Sequence, residues 1–371
     1  MSKSLAAISA LIGTIIGAGI LGIPYVVMRS GFAIGLVHLI VIAAIMIITM
    51  LYLGEIALRT KTNHHLTGYA ELYLGGKGKI LMFIASLIGI YSAVLAYLIG
   101  EGESLSHLFF SSADYTLPFG IAFWLALSAL SYFGLKALED GEEVGVVLIF
   151  ILIISVSVMA LNKIDPANLA YLNPENFFVP FGVILFAFLG FSSLPEVKRI
   201  LQNKEKYMKR SIITANLIVL VIYAVFALVV LGFKGAATPQ IATLALGKPF
   251  ILLGIITILT SYLALSIALI DTLCFDFHLS KNKSWLITTL PPLALFVILE
   301  IFNLTNFIKV IGIGGVLSGG LTAILILFMT KRAKKFGRRK PEYQLPYSEI
   351  FTWILIAIFT IGAILEIMSI I

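Results

Sequence analysis

Two short stretches of this chain put helix-breaking residues where an apolar segment is otherwise continuous. The first is Gly13-Thr14-Ile15-Ile16-Gly17-Ala18-Gly19-Ile20-Leu21-Gly22-Ile23-Pro24, inside an apolar run from about Leu5 to Val27. The second is Phe186-Ala187-Phe188-Leu189-Gly190-Phe191-Ser192-Ser193-Leu194-Pro195-Glu196. Glycine and proline are the poorest helix formers, so both stretches are expected to interrupt a helix. An interruption frees main-chain N–H and C=O groups, which are costly to leave bare in hydrocarbon. A break therefore persists in a membrane only where it is buried or lines a cavity, and the first stretch reads as a binding site. Close helix packing through Gly13-x3-Gly17 is the competing explanation there.

Other chemistries find little support. Cys274 is the single cysteine, and the five histidines have no metal-ligand spacing, which argues against a disulfide framework or a zinc site. No His-Glu-x-x-His, no protease-type pair of intramembrane aspartates and no nucleophile beside an intramembrane histidine is present, so an enzyme is not expected.

The elements that must position these stretches are membrane spans. Of 371 residues, 60% are hydrophobic and 12% charged, about half the charge of a soluble domain, and mean hydropathy is +1.06. Apolar runs of about 20 residues predict eleven spans: 5–28, 32–58, 79–103, 117–136, 143–161, 178–197, 211–233, 250–277, 285–302, 307–330 and 348–370. An amphipathic stretch at 63–76 lies between the second and third. With the N-terminus in the cytoplasm and the C-terminus outside, 21 of the 26 Lys and Arg fall in cytoplasmic segments, as the positive-inside rule requires. The formal charge of +7 then reflects topology, and no nucleic-acid partner is expected.

Gly19 precedes Pro24 by five residues, Gly190 precedes Pro195 by five, and the pairs are 171 residues apart. Spans one and six run in opposite directions in this topology. Inverted repeats with paired interrupted helices are the sequence pointer to a secondary transporter's site. A channel or lipid-translocating protein is the more distant alternative.

The pattern resembles the amino acid–polyamine–organocation superfamily. Gly13 to Pro24 is similar to the opening helix of the hydroxy/aromatic amino acid permeases and of the amino acid/auxin permeases. Ala96-Tyr97-Leu98-Ile99-Gly100-Glu101-Gly102-Glu103 and Phe186-Ala187-Phe188 with Pro195-Glu196 resemble the third and sixth helices of the former. The resemblance implies an all-α membrane protein with the five-plus-five inverted-repeat fold of the bacterial leucine transporter and helices 1 and 6 interrupted. Repeat one would cover about 5–161, repeat two about 178–330, and one extra helix about 348–370, in a single transporter domain of the plasma membrane. It implies import of a neutral amino acid, aromatic or hydroxylated, without an obligate protein partner.

An amino acid presents a carboxylate and an ammonium. The N–H groups of Gly17, Ala18 and Gly19, at the positive end of a half-helix, are expected to take the carboxylate. Carbonyls near Phe186, Ala187 and Phe188 are expected to take the ammonium, and Gly19→Val to abolish uptake without unfolding the protein. Tyr91, Phe191, Ser192 and Tyr262 are candidate pocket residues. The resemblance further implies a sodium site built from the carbonyls of Gly13, Ile16 and Thr257 and the hydroxyls of Thr260 and Ser261, an all-oxygen set that suits a hard cation. Proton coupling through intramembrane acids, or amino acid exchange, is the alternative. Lys3 with Asp271 or Asp276 is a candidate inner gate, and Glu101 and Glu103 are expected near Arg29.

Overall fold

The computed structural model describes residues 2–133, 141–160 and 163–368, and the described residues are helical with short connections. The helices are α1 (Lys3–Ile15), α2 (Gly19–Ser30), α3 (Phe32–Arg59), α4 (Leu66–Leu74), α5 (Gly76–Phe110), α6 (Thr116–Phe133), α7 (Gly141–Ala160) and α8 (Ala167–Ala170). The second half contains α9 (Val179–Ala187), α10 (Leu194–Ile200), α11 (Met208–Lys234), α12 (Lys248–Phe275), α13 (Lys281–Ile301), α14 (Phe307–Gly314), α15 (Leu321–Phe336) and α16 (Glu349–Met368). Among the described residues nine helical stretches are long and apolar enough to cross a membrane, and the bent pair α1–α2 makes ten. Helix α7 takes the place of the expected fifth span and packs on α1, α11 and α12.

Three spans are not continuous α-helix. α1 ends at Ile15, Ile16 adopts extended backbone, and α2 leaves the break at 58° to α1. α9 ends at Ala187; Phe188, Leu189 and Gly190 are non-helical, a single 3-10 turn follows, and α10 starts at Leu194. The two glycine–proline pairs are therefore not equivalent in detail: Gly19 opens a helix, whereas Gly190 lies inside a break. The third irregularity lies in the tenth span, expected as one helix, where a π turn at Gly315–Gly320 joins α14 to α15. Its three glycines and Ser318 lower helix propensity there, and such turns often sit at functional sites.

Local chemistry sets several ends. The Ser2 side chain accepts from the Leu5 N–H at 3.3 Å and caps α1; Asn306 does the same for α14 through the Lys309 N–H at 2.9 Å. Gly31 turns the chain between α2 and α3 at φ +95°, a left-handed conformation natural to glycine.

After α15 the chain runs back along the end of α3. The Arg338 and Arg339 N–H groups donate to the Arg59 carbonyl, Tyr343 Oη donates to Leu51 O at 2.7 Å, and Tyr52 Oη donates to Pro346 O at 2.9 Å. Glu55, 1% exposed, accepts from Arg59 at 2.9 Å, from Lys334 at 2.7 Å and from the Leu345 N–H at 2.9 Å. The linker is thus fastened to the bundle. It leads to α16, whose Glu366 carboxyl fits against Gly182 of α9 and Gly312 of α14; a Cβ at Gly182 would lie 2.7 Å from that carboxyl.

Candidate functional site

A central cavity of about 110 Å³ lies where both broken helices meet α5, α12 and the π turn. Thr14, Ile15, Gly17 and Gly19 line it from the first break and Phe186, Leu189, Phe191 and Ser192 from the second. Ser86, Gly89, Ile90, Ala93 and Tyr97 of α5 form the facing wall, with Leu66, Leu265, Ser318 and Thr322 completing it. Roughly 10–15 Å³ of such space holds one water, so the cavity has room for a small solute. Its walls are largely apolar, with hydroxyls and main-chain groups at the breaks.

Helix ends leave N–H and C=O groups without intrahelical partners, and the first break uses them unequally. Because α1 stops at Ile15, the Gly13 and Thr14 carbonyls receive no amide from one turn further on, while Ile16 N–H still donates to Ile12 O. The Tyr97 hydroxyl lies beside the Ala18 main chain and the Ser261 side chain. Tyr97 is 2% exposed, and a Cβ at Gly17 would lie 3.0 Å from its hydroxyl. Gly17 and Gly19 line the cavity, and Tyr97 brings α5 against the same break.

In the second break, Phe186 O accepts from the Leu189 N–H at 3.1 Å. Ala187 O accepts from Tyr223 Oη at 2.8 Å, and the same hydroxyl lies 3.1 Å from Ile15 O. Tyr223 of α11 is fully buried and holds the carboxyl-terminal ends of α1 and α9 together; its ring meets Phe188 edge-on at 5.3 Å. Among the described residues, the carbonyls of Phe188 and Leu189 accept no hydrogen bond. Leu189 lines the central cavity, whereas Phe188 is fully buried.

Several expected site residues are placed elsewhere. Tyr91 points away from the cavity and donates to Ile287 O of α13. Ser86, Gly89, Ala93 and Tyr97 share the cavity face of α5 at helical spacing, and Tyr91 falls off that face. Small residues at those spacings were the signal for Tyr97. Tyr262 is hydrogen-bonded to Ser128 of α6 at 3.0 Å. Phe188 packs on Tyr223, and Ala187 on Gly19, where a Cβ would lie 2.5 Å from Ala187 Cα. Gly19→Val would therefore press on the Ala187 backbone, a steric conflict that the expectation of an intact fold did not include. Nothing in the sequence of α11 marked Tyr223, since its partners are main-chain atoms 36 and 208 residues away.

The expected inner gate is not formed. Lys3 Nζ donates to Gln202 O at 2.8 Å, and Asp276 accepts from Thr67. Asp271 instead lines a second cavity of about 440 Å³ at the end of the bundle that carries most basic residues, with His64, His65, Glu196, Arg199 and Thr260. Ser192 lines both cavities, so the centre and that vestibule adjoin at this residue. Toward the opposite end α2 packs tightly at Gly22, where a Cβ would meet Ile311, Ile308 and Val183 at 2.7–3.3 Å. Of the expected sodium ligands, Thr260 thus faces the vestibule and Ser261 faces Tyr97; the side chain of Thr257 lies outside the described ones.

Glu101, expected near Arg29, lies one helical turn beyond Tyr97 on α5. It is 1% exposed and neither carboxyl oxygen meets a hydrogen-bond partner. Arg29 donates to Tyr25 Oη at 3.4 Å instead. His64, in the α3–α4 connection, bonds Thr62 at 2.7 Å; partial burial, then the nearby Lys198 charge, hold its pKa below the ordinary histidine value of 6.5.

Two interrupted helices facing each other across a central cavity are the architecture of inverted-repeat secondary transporters. The fold matches the crystal structure of MhsT in complex with L-phenylalanine, at TM-score 0.68 and 17% identity over 99% of this chain and 98% of that one. The family model for tryptophan/tyrosine permeases matches residues 1–367, and the chain belongs to the tryptophan/tyrosine permease family. Similar curated proteins are tyrosine-specific transport system 1 of Haemophilus influenzae (24% identical, 94% of this chain, 91% of the relative) and glutamine transporter 2 of Aliivibrio fischeri (25%, 60% of each). Amino acid transporter AVT3B of Arabidopsis thaliana is 25% identical over 63% of this chain and 61% of the relative. The protein is a membrane-embedded amino acid transporter rather than an enzyme.

Proposed function

We propose that this transporter imports a neutral amino acid, with an aromatic side chain preferred, across the plasma membrane by cation-coupled alternating access. The observation that carries this is the facing of two helix breaks across one cavity, with the Tyr97 hydroxyl beside Gly17. Gly17 and Gly19 N–H groups with the Tyr97 hydroxyl take the substrate carboxylate at the positive end of α2. The Phe188 and Leu189 carbonyls take the ammonium. Phe186, Phe191 and Ile90 accommodate an apolar or aromatic side chain, in keeping with the name of the Haemophilus relative. The vestibule beyond Ser192 is the release route, toward the side that the loop charges assign to the cytoplasm.

Sodium is the proposed coupling ion. Gly13 O is free of intrahelical bonding and is proposed to hold the ion with the Ile16 and Thr257 carbonyls; the Thr260 and Ser261 hydroxyls, which face the vestibule and Tyr97 in this structure, would have to turn toward it to complete a hard all-oxygen set. One cation crossing about 100 mV releases about 2.3 kcal/mol, enough for roughly fifty-fold accumulation at about 1.4 kcal/mol per tenfold. Glu101 favours a second reading, proton coupling: an ionised carboxylate with no partner is costly to bury, and a bound proton removes that cost. Uptake of labelled tyrosine, tryptophan, phenylalanine and glutamine into proteoliposomes, under a sodium gradient or a pH gradient alone, tests both. The sodium reading expects accumulation with sodium at equal pH. Accumulation under the pH gradient alone, lost in Glu101→Gln while substrate still stabilises the variant thermally, would replace it with the proton reading. Conductance without accumulation would overturn the transport mechanism itself.

A further inference from the structure

A third cavity, of about 380 Å³, opens where α3, α4 and α15 end together, remote from the central site. Arg59, Lys61, Arg332 and Arg338 line it and no carboxylate does. Only Arg59 is in an ion pair among the described residues, with Glu55. Lys61, Arg332 and Arg338 are exposed and have no acidic partner. The framework around them is held: Arg338 N–H donates to Arg59 O at 3.1 Å, Arg332 Nη1 donates to Tyr73 O at 3.3 Å, and Thr60 and Tyr73 share a hydrogen bond of 2.8 Å.

Arg59 and Phe336 are the last residues of two membrane-crossing stretches, which sets the cavity at the depth of lipid headgroups. Its rim is apolar on one side, with Leu72 50% and Phe336 62% exposed. Guanidinium forks suit phosphate oxygens, and basic pockets between transmembrane helices on the cytoplasmic side are where anionic headgroups bind. A solvated basic loop has neither the concave shape nor the apolar rim. We propose that this cavity binds the phosphate of an anionic phospholipid headgroup, with Lys61, Arg332 and Arg338 supplying the charge and Leu72 and Phe336 flanking the acyl chains.

The test uses the purified full chain in neutral detergent, titrated with phosphatidylglycerol, phosphatidylcholine or inorganic phosphate and followed by native mass spectrometry and thermal unfolding. Phosphatidylglycerol is expected to stay bound and raise the unfolding midpoint, while the other two do neither. The double variant Lys61→Gln/Arg338→Gln removes two exposed charges and is expected to weaken phosphatidylglycerol binding about tenfold or more. Lys340→Gln, a basic change outside the cavity, is expected to leave it unaltered. Equal binding of both lipids, equal stabilisation by inorganic phosphate, unchanged binding in the double variant, or an equal loss in Lys340→Gln would each overturn the proposal.

Discussion

Tyr97 and Tyr223 act on the same two breaks in opposite senses. Tyr97 reaches the first break from the cavity side, where its hydroxyl lies beside Gly17 in the cavity wall and is placed to meet a ligand. Tyr223 reaches both breaks from behind and occupies Ala187 O, so its hydroxyl is structural. Tyr97→Phe is expected to keep the fold and lose a hydrogen bond to a charged carboxylate, about 1.5–3 kcal/mol, on the order of ten- to a hundredfold in affinity. Substrate titration of the variant's thermal stability checks this, and unchanged affinity would remove Tyr97 from the site. Tyr223→Phe leaves a buried carbonyl bare, at about 1–3 kcal/mol, so its unfolding midpoint in detergent should fall even without substrate. A midpoint equal to that of the parent would show that the bridge carries no stability.

Among the elements, contact between α2 and α9 decides how close the breaks come. The backbone of Ala187 lies where a Gly19 side chain would be, and backbone cannot swing aside as a side-chain tip can. Gly19→Ala is accordingly expected to lower the yield of folded protein and to reduce uptake together. Fully folded protein with normal uptake, by size-exclusion profile and transport assay, would contradict that packing. The small residue that the sequence marked for ligand access also serves helix approach, so the two readings of the first glycine stretch coexist. Elsewhere the π turn at 315–320 brings Ser318 to the cavity wall. Hydropathy could not show this, since a π turn keeps the apolar length of the span unchanged.

For the molecule as a whole, the vestibule at the basic end is the larger opening beside the central cavity, and α2 is tightly packed at Gly22 on the other side. His64 lines that vestibule, and its pH response has a definite sign. Its native proton affinity lies below the ordinary value of 6.5, so as pH falls through about 6.5 the unfolded chain takes up the proton first. The contribution is fully present above pH 6.5 and is lost as pH falls from there through the folded value. Thermal unfolding scanned from pH 8 to pH 5 should show this acid loss reduced in His64→Gln. An identical profile in the variant would assign the loss to other groups.

The membrane class, most of the spans and the two breaks were legible in the sequence because they depend on local quantities: hydropathy over about 20 residues and helix propensity. The apolar run predicted α2 and α9 flanking interruptions, and it did so without any knowledge of neighbours. Which atoms of those breaks stay free was decided only by tertiary structure. Tyr223 reaches Ile15 from 208 residues away, and Glu101 is left without a partner while Arg29 turns to Tyr25. Hydrogen-bond satisfaction at a helix end depends on what packs against it, and a linear pattern of apolar residues carries no record of that.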